Sequence, residues 1–402
     1  MKGDFSKLDF HPSANFTGVL HQQGRALLDQ DWNASSTINR FRRQLQGRDA
    51  IGAHVAAVPA ELRDSFRVTQ AAVNGSEVDI TLEPGRVWVD GMALLVPGES
   101  SSTRPAAYFT PPVQTTPPAP ATGKDAVILE IRQEALNGFQ DPQSLIEPAL
   151  GGVDTTERIR LCHSLRLLRL TEGDECSNLV DKLADDFNAK GKLTVTPADT
   201  LAISGDCPVA LGGGYTGFEH YLYRIENAPA DTAGNARFKW SRFNGGLVGR
   251  GTFDSLASEI DITANDQMIN HCGLSGFYLE ALQPDADGGP WEIVFTADAT
   301  LSADGQLSLV NIDGTWPGSG GGEAFFRLWD GLGLIADYLL ATELENGLQL
   351  KFDPPAADNG NYTPGDYWTF PVRTAGYEFD PALWPNNAPP DGVHCHRVPL
   401  AI

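Results

Sequence analysis

Two periodicities divide the chain. Between Gln22 and Arg48, the apolar residues Leu27, Leu28, Trp32, Ile38, Phe41 and Leu45 fall partly at three-, four- and seven-residue spacing. That pattern predicts one interrupted helix or two short ones with a single apolar face. From Val73 to Val96 the period drops to two. Val78, Ile80 and Leu82 alternate with polar residues, Pro84-Gly85 turns the chain, and Val87 and Val89 precede an Asp90-Gly91 turn. A small β-meander is predicted there. Residues 97–124 are rich in Ser, Thr, Pro and Ala, with the runs Thr110-Pro111-Pro112 and Thr116-Pro117-Pro118. So many prolines leave too few backbone donors for a central strand, so the segment reads as loop or linker. Ala126 to Ile131 reads as a compact apolar strand. Ile159, Leu161, Leu165 and Leu167, alternating around His163, read as a half-buried one.

The second half repeats this grammar. Tyr221 to Ile225 alternates, Phe238 to Phe243 follows, and Asn244-Gly245 is a strong hairpin signal. Further strands are predicted at Phe277 to Leu282, Glu292 to Thr296, Gln306 to Val310, Gly347 to Phe352 and Tyr367 to Val372. Helix is predicted at Ser177 to Ala189 and around Leu328 to Leu340. No fixed-period repeat emerges, so neither a solenoid nor a propeller is expected. The expected fold class is mainly β with a helical N-terminal segment, with β-sandwich-like domains joined by Pro/Gly-rich loops. The expected organisation is a helical attachment segment at 1–50 and a small β-meander region with a Pro-rich linker at 51–124. A β-rich body at 125–402 follows, with two subdomains dividing near 205.

Composition narrows the function classes. The 402 residues carry a net charge of −23, a poor surface for nucleic acid or anionic membranes. Arg40, Arg42, Arg43 and Arg48 are the one locally basic stretch, either a solvated helix face or a docking segment for an acidic partner or a neighbouring subunit. The opening Met1-Lys2-Gly3-Asp4-Phe5-Ser6-Lys7 has no apolar run behind it, so no Sec signal is expected, and no stretch is apolar enough to span a bilayer. Cys162, Cys176, Cys207, Cys272 and Cys395 are widely spaced and contain no CxxC, which reads as reduced thiols made in a cytoplasm. Such a protein can still leave the cell within a released particle.

The motifs that resemble chemistry are weak. Gly212-Gly213-Gly214, Gly245-Gly246 and Gly318 to Gly322 lack a following Lys-Ser or Lys-Thr and lack GxGxxG spacing, so they read as turns. Asp285-Ala286-Asp287-Gly288-Gly289 has two carboxylates at calcium-loop spacing but no closing Glu, and reads as a surface turn. There is no GxSxG and no HExxH; Asp29 and Asp31 read as capping or solvating a helix rather than as a dyad. His394 and His396 flank Cys395; in an extended strand both imidazoles share a face. Three copies around a threefold axis would offer six nitrogens to a transition metal. The plainer reading is a terminal strand with locally bonded histidines. No catalytic residue and no cofactor is expected. Eight tryptophans and nineteen phenylalanines either line a glycan surface or anchor the core, and the core is the expected place for most of them.

Several stretches together resemble one family. They are Met1-Lys2-Gly3-Asp4-Phe5-Ser6, His11-Pro12, Phe16-Thr17-Gly18-Val19, Gln22-Gln23-Gly24-Arg25 and Leu28-Asp29-Gln30-Asp31-Trp32-Asn33. Thr156-Glu157-Arg158-Ile159-Arg160-Leu161 is a second block. Leu222-Tyr223-Arg224-Ile225-Glu226 with Phe238-Lys239-Trp240-Ser241-Arg242-Phe243-Asn244-Gly245 is a third. The last runs from Gly365-Asp366-Tyr367-Trp368-Thr369-Phe370-Pro371-Val372-Arg373-Thr374 to Pro390-Asp391-Gly392-Val393-His394-Cys395-His396. The blocks resemble a whole-chain family encoded in gene clusters of tailed phages and phage-tail-like contractile injection systems. The resemblance implies a structural particle component at or around the baseplate: a shell, a fibre adaptor or a short fibre. It implies no catalytic residues. The family's usual ending has adjacent histidines followed by an aromatic, and here Cys395 interrupts the pair. The chain stops soon after, which favours a compact part over a long fibre. Expected partners are other particle proteins of the baseplate region and further copies of the chain, with no nucleic acid and no membrane insertion. A glycan-binding or glycan-degrading tail protein is the alternative.

Overall fold

In the computed structural model the described residues are 2–8, 10–75, 77–109, 123–175, 178–185, 190–198, 215–217, 219–354, 362–373 and 383–402. The chain is mainly β, with one long helix, Asp29–Ile51, near its start. None of the described helices is long and apolar enough to cross a membrane. The division expected near 205, the Pro runs at 110–118 and the glycines at 212–214 lie outside the described residues.

Three apolar cores organise the strands. The first lies between a six-stranded sheet and a three-stranded one. The six-stranded sheet orders Val68–Asn74, Glu77–Leu82, Ser102–Tyr108, Arg158–Leu170, Lys124–Leu136 and Cys395–Ala401. The three-stranded sheet holds Ala56–Ala57, Gly85–Val89 and Met92–Val96. Ile80, Val87, Val89, Leu129, Ile131 and Val398 meet in this core, as the alternation at 78–89 anticipates. The expected meander is nevertheless split, because Pro84-Gly85 passes the chain from one sheet to the other. Ala126 and Ile128 point to the opposite face, against Leu179 and Leu183 of the short helix Leu179–Asp185. Burial on both faces explains why 126–131 is nearly continuously apolar. Part of the expected linker is a strand: Ser102–Tyr108 pairs along its length with Glu77–Leu82. Pro105 is tolerated there because the parallel neighbour Arg158–Leu170 pairs only with Ala107 and Tyr108.

The second core lies between two further sheets. A four-stranded sheet orders Gly331–Leu334, Arg237–Ser241, Tyr221–Ala228 and Tyr367–Val372, and a three-stranded one orders Lys192–Pro197, Leu348–Asp353 and Thr342–Glu345. Tyr223, Ile225, Phe238, Phe352, Trp368 and Phe370 fill the space between. The third core is a closed six-stranded antiparallel barrel, Leu247–Asp254, Glu259–Ala264, Gln306–Gly314, Glu292–Leu301, Gly276–Gln283 and Ala324–Trp329. Phe277, Leu279, Phe295, Leu307, Phe326 and Leu328 point inward. Gly249 and Gly251 make room for them. A β-carbon on Gly249 would lie 2.8 Å from the Phe326 ring, and one on Gly251 would lie 2.6 Å from Ile260 Cγ2 and from the Asp261 carbonyl.

Two local expectations are corrected. Asn244-Gly245 does not close a hairpin. Arg237–Ser241 pairs within the four-stranded sheet, while Leu247–Asp254 belongs to the barrel. The left-handed run Asn244, Gly245 and Gly246 is a corner between layers. A β-carbon on Gly246 would sit 2.3 Å from the Leu328 carbonyl oxygen. The helix expected around 328–340 is instead the end of Ala324–Trp329, the strand Gly331–Leu334 and a single 3-10 turn at Ile335–Tyr338. Pairing with the Arg237–Ser241 strand overrides the helix-like spacing of the leucines.

The barrel gives the first test. Phe326→Ala removes an inward ring and is expected to cost about 3–5 kcal/mol. Gly251→Val overfills the same space and is expected to cost roughly 1–3 kcal/mol despite its apolar gain. Denaturant unfolding measures both, and a Gly251→Val protein as stable as the parent would contradict the packing argument.

Candidate functional site

Strand alternation gives the four-stranded sheet two faces. Tyr223, Ile225, Phe238 and Trp240 face the aromatic core, so Arg224, Glu226 and Lys239 face the other way. The barrel wall opposite presents its own outward residues, Glu280, Arg327 and Trp329, and all six of these side chains are buried. The layer between sheet and barrel is therefore ionic. Lys239 Nζ lies 2.5 Å from Glu280 Oε1 and 3.2 Å from Glu226 Oε1. Arg224 donates through Nε to Glu226 Oε2 at 2.7 Å, and its guanidinium stacks 3.4 Å from the centre of the Tyr367 ring. Trp329 Nε1 donates to Glu280 Oε2 at 2.8 Å. Arg327 donates to the carbonyl of Gly245 at the corner.

The N-terminal segment closes this layer. Lys2 Nζ donates to Glu226 Oε1 at 2.9 Å and lies 5.0 Å from the centre of the Trp329 ring. Gly3 exchanges two hydrogen bonds with Asn244, at 3.1 Å from its own amide and 2.9 Å from Asn244 Nδ2. Arg373 donates to the Ser6 carbonyl, and Ser6 donates its amide to Asp29 Oδ2 at 3.0 Å. Asp29 thus ties this N-terminal strap to the first turn of the helix; the N-cap position belongs to Leu28, and no side chain caps it.

A second ionic group adjoins the corner. Asp330 accepts from Ser241 Oγ at 2.9 Å and from Arg242 Nε at 3.0 Å. Glu345 accepts from Arg242 at 2.6 Å and from Tyr223 OH at 2.6 Å. The block Phe238 to Gly245 therefore spends its residues alternately on aromatic core, ion pairs and corner.

Burial sets the titration behaviour. It works against the Glu226 carboxylate, but Lys2, Lys239 and Arg224 together hold it well below the usual range. Burial likewise opposes the Lys239 ammonium, and Glu280 and Glu226 more than offset it. Lys2 is less well compensated. Burial lowers it to about 7, against the pull of Glu226 and with Lys239, Arg327 and Arg224 adding repulsion. Glu157, beside Gly3, is pushed up to about 7 by burial, with Arg327 opposing.

Other sequence candidates fall elsewhere. His396 Nδ1 lies 2.7 Å from Asp90 Oδ2, which leaves only Nε2 of its ring without a hydrogen bond among the described residues. His394 is exposed just before the strand Cys395–Ala401. That strand is the edge of the six-stranded sheet. Within one chain, no group of three or more His, Cys, Asp or Glu side chains is placed to hold a metal among the described residues. The loop Asp285 to Gly289 is an Asx turn, with the Asp287 amide 2.6 Å from Asp285 Oδ1. Its backbone docks on the six-stranded sheet: the carbonyls of Asp287, Gly288 and Gly289 accept from Arg104, the His163 amide and Arg160. Burial and the neighbouring Arg104 depress His163 to about 4, so it is neutral at this joint.

The barrel residues Glu280 and Arg327 escaped the sequence reading. Their signal was a lone charge inside an apolar run, as in Ala-Phe-Phe-Arg-Leu-Trp at 324–329. A charge there implies a strand buried on both faces with a partner waiting.

Two tests follow from the ionic layer. Glu280→Leu leaves Lys239 with Glu226 alone and strands Trp329 Nε1, and is expected to cost about 3 kcal/mol, while Lys239→Met/Glu280→Leu recovers part of it. Equal losses in the single and double variants would show that the pair is not coupled. For pH, Glu157 holds its proton more tightly when folded, so its contribution falls as pH rises from about 4.5 to 7. Lys2 holds its proton less tightly when folded, so its contribution grows as pH rises from about 7 to 10.5. Chemical unfolding across pH should show Glu157→Gln flattening the first limb and Lys2→Met the second. Unchanged pH profiles would refute both.

Comparison with known proteins places part of the chain. Residues 1–199 match the model of a family of unknown function, DUF6519. No curated protein and no solved structure matches. The chain's first half is thus similar to a family whose activity is undescribed.

Proposed function

We propose that the chain is a structural component of a contractile phage-tail-like particle, located at or around the baseplate as a shell, fibre adaptor or short fibre. One observation carries this reading. Residues of all four blocks that resemble the particle family converge on one joint: Lys2 and Gly3, Glu157, Arg224, Glu226, Lys239 and Asn244, and Tyr367. A part that carries load needs its layers tied by directional bonds as well as by apolar contact, and this joint supplies them. The chain is made in the cytoplasm, joins the particle there and works beside other baseplate proteins and copies of itself. It acts as a part rather than a catalyst. Seven of the eight tryptophans are buried or half-buried, which supports a core role for them over a glycan platform.

Imaging of intact particles purified from a producing strain tests the proposal, with the chain tagged at an exposed loop. Density for it at the baseplate is expected, and deletion of its gene should leave particles without that density. A particle preparation free of the chain would overturn the reading. So would robust turnover of host polysaccharide or peptidoglycan by the purified chain, abolished by changing one carboxylate.

A further inference from the structure

The segment before the long helix leaves the body. Residues 15–28 form no strand or helix, and nearly all are exposed. A β-carbon placed on Gly18 or Gly24 would meet nothing within 4 Å. Yet the arm is not polar: Phe16 is 62% exposed, Leu20 94%, Leu27 62% and, on the first turn of the helix, Trp32 62%. Trp32 is the one exposed tryptophan of the chain. A run of large apolar side chains held in water is a contact surface awaiting a partner.

The helix that follows adds charge to this surface. Of its 23 residues only Ile38 is buried. Its inner side rests on the Asp90-Gly91 turn, where a β-carbon on Gly47 would lie 2.8 Å from Gly91 Cα. Residues 32–48 hold four arginines and no acidic residue, in a chain of net charge −23. Arg42, Arg43 and Arg48 are exposed and make no ion pair among the described residues.

A matching surface exists on the same chain. The outer wall of the barrel exposes Val310 and Ile312, at 61% and 41%, on Gln306–Gly314. Asp298 lies opposite Val310 on the neighbouring strand, Asp313 follows Ile312, and Asp261 lies on the other neighbouring strand, opposite Gln306. All three carboxylates are exposed and without a cationic partner among the described residues. Asp261 and Asp298 accept only from the neutral amides of Gln306 and Asn311, so apolar anchors with uncompensated cations on one part of the chain correspond to apolar patches with uncompensated anions on another.

We propose that the arm and helix, residues 15–48, dock on the acidic outer wall of the barrel of a second copy of this chain. Phe16, Leu20 and Trp32 supply the apolar contact, and Arg42 and Arg43 meet Asp261, Asp298 and Asp313. Because the donor and acceptor surfaces differ, copies either exchange arms in a closed dimer or link head-to-tail into a ring or a row. The inference stands without the particle assignment, since the purified chain tests it.

Sedimentation of the full chain across micromolar concentrations should show reversible association that weakens as salt rises. Leu20→Glu/Trp32→Glu should abolish it, and Arg42→Glu/Arg43→Glu should raise the dissociation constant on the order of tenfold. All these side chains are exposed, so unfolding midpoints should not move. Asp261→Lys/Asp298→Lys should restore association to the Arg42→Glu/Arg43→Glu variant. A photo-crosslinker in place of Leu20, in a mixture of isotopically heavy and light chains, should join the arm to peptides of 292–314 in heavy–light pairs. A monomer at every concentration would overturn the proposal, as would association indifferent to the arm variants. So would cross-links confined to one chain or to another surface, or an arm that captures only a different particle protein.

Discussion

The ionic layer between the four-stranded sheet and the barrel is the constraint on which the rest of the structure turns. A strand buried on both faces must put something on each. Here one face is aromatic and the other carries Arg224, Glu226 and Lys239. An apolar second face would bind at least as strongly, because desolvating ions costs much of what their attraction returns. What the charges add is position. A one-residue slip of Tyr221–Ala228 would drive Arg224 and Glu226 into the aromatic core and leave Tyr223 against the barrel. The register is therefore fixed twice, by aromatic packing on one side and by ion pairing on the other.

The same layer decides how sheet and barrel are joined. The Asn244–Gly246 corner is covalent, Lys2 bridges from the strap, and Arg327 reaches across to the corner carbonyl. The first core is attached differently. There the Asp285 to Gly289 loop offers backbone carbonyls to Arg104, His163 and Arg160, a joint that depends on loop geometry more than on loop side chains.

Much of the strand content was legible because alternation is a local property. Val78, Ile80 and Leu82 announce one buried face, and the continuous run at 126–131 announces two. The layers were not legible, because local signals do not state which sheet a strand joins. Asn244-Gly245 has the chemistry of a hairpin and serves as a corner, since left-handed backbone suits either. Leu328 to Leu340 has helical spacing but is claimed by pairing with Arg237–Ser241. Pro105 hides a strand inside a proline-rich stretch because its missing donor falls where no neighbour asks for it. Of the joint, the quoted blocks held Lys2, Glu226 and Lys239, whereas Glu280 and Arg327 sit in runs whose apolar character masked them.

The route of the chain through this layer bears on its biosynthesis. Lys2 leaves the ribosome well over two hundred residues before its neighbours Glu226, Lys239, Glu280 and Trp329. The last of them must emerge before the strap can seat. Throughout that wait the half-built surface is charged, so it stays hydrated where an apolar face of the same size would seek other nascent chains. An ionic seam is thus suited to a joint whose earliest-made contributor is seated last: it remains hydrated while incomplete and is buried only when every contributor has arrived.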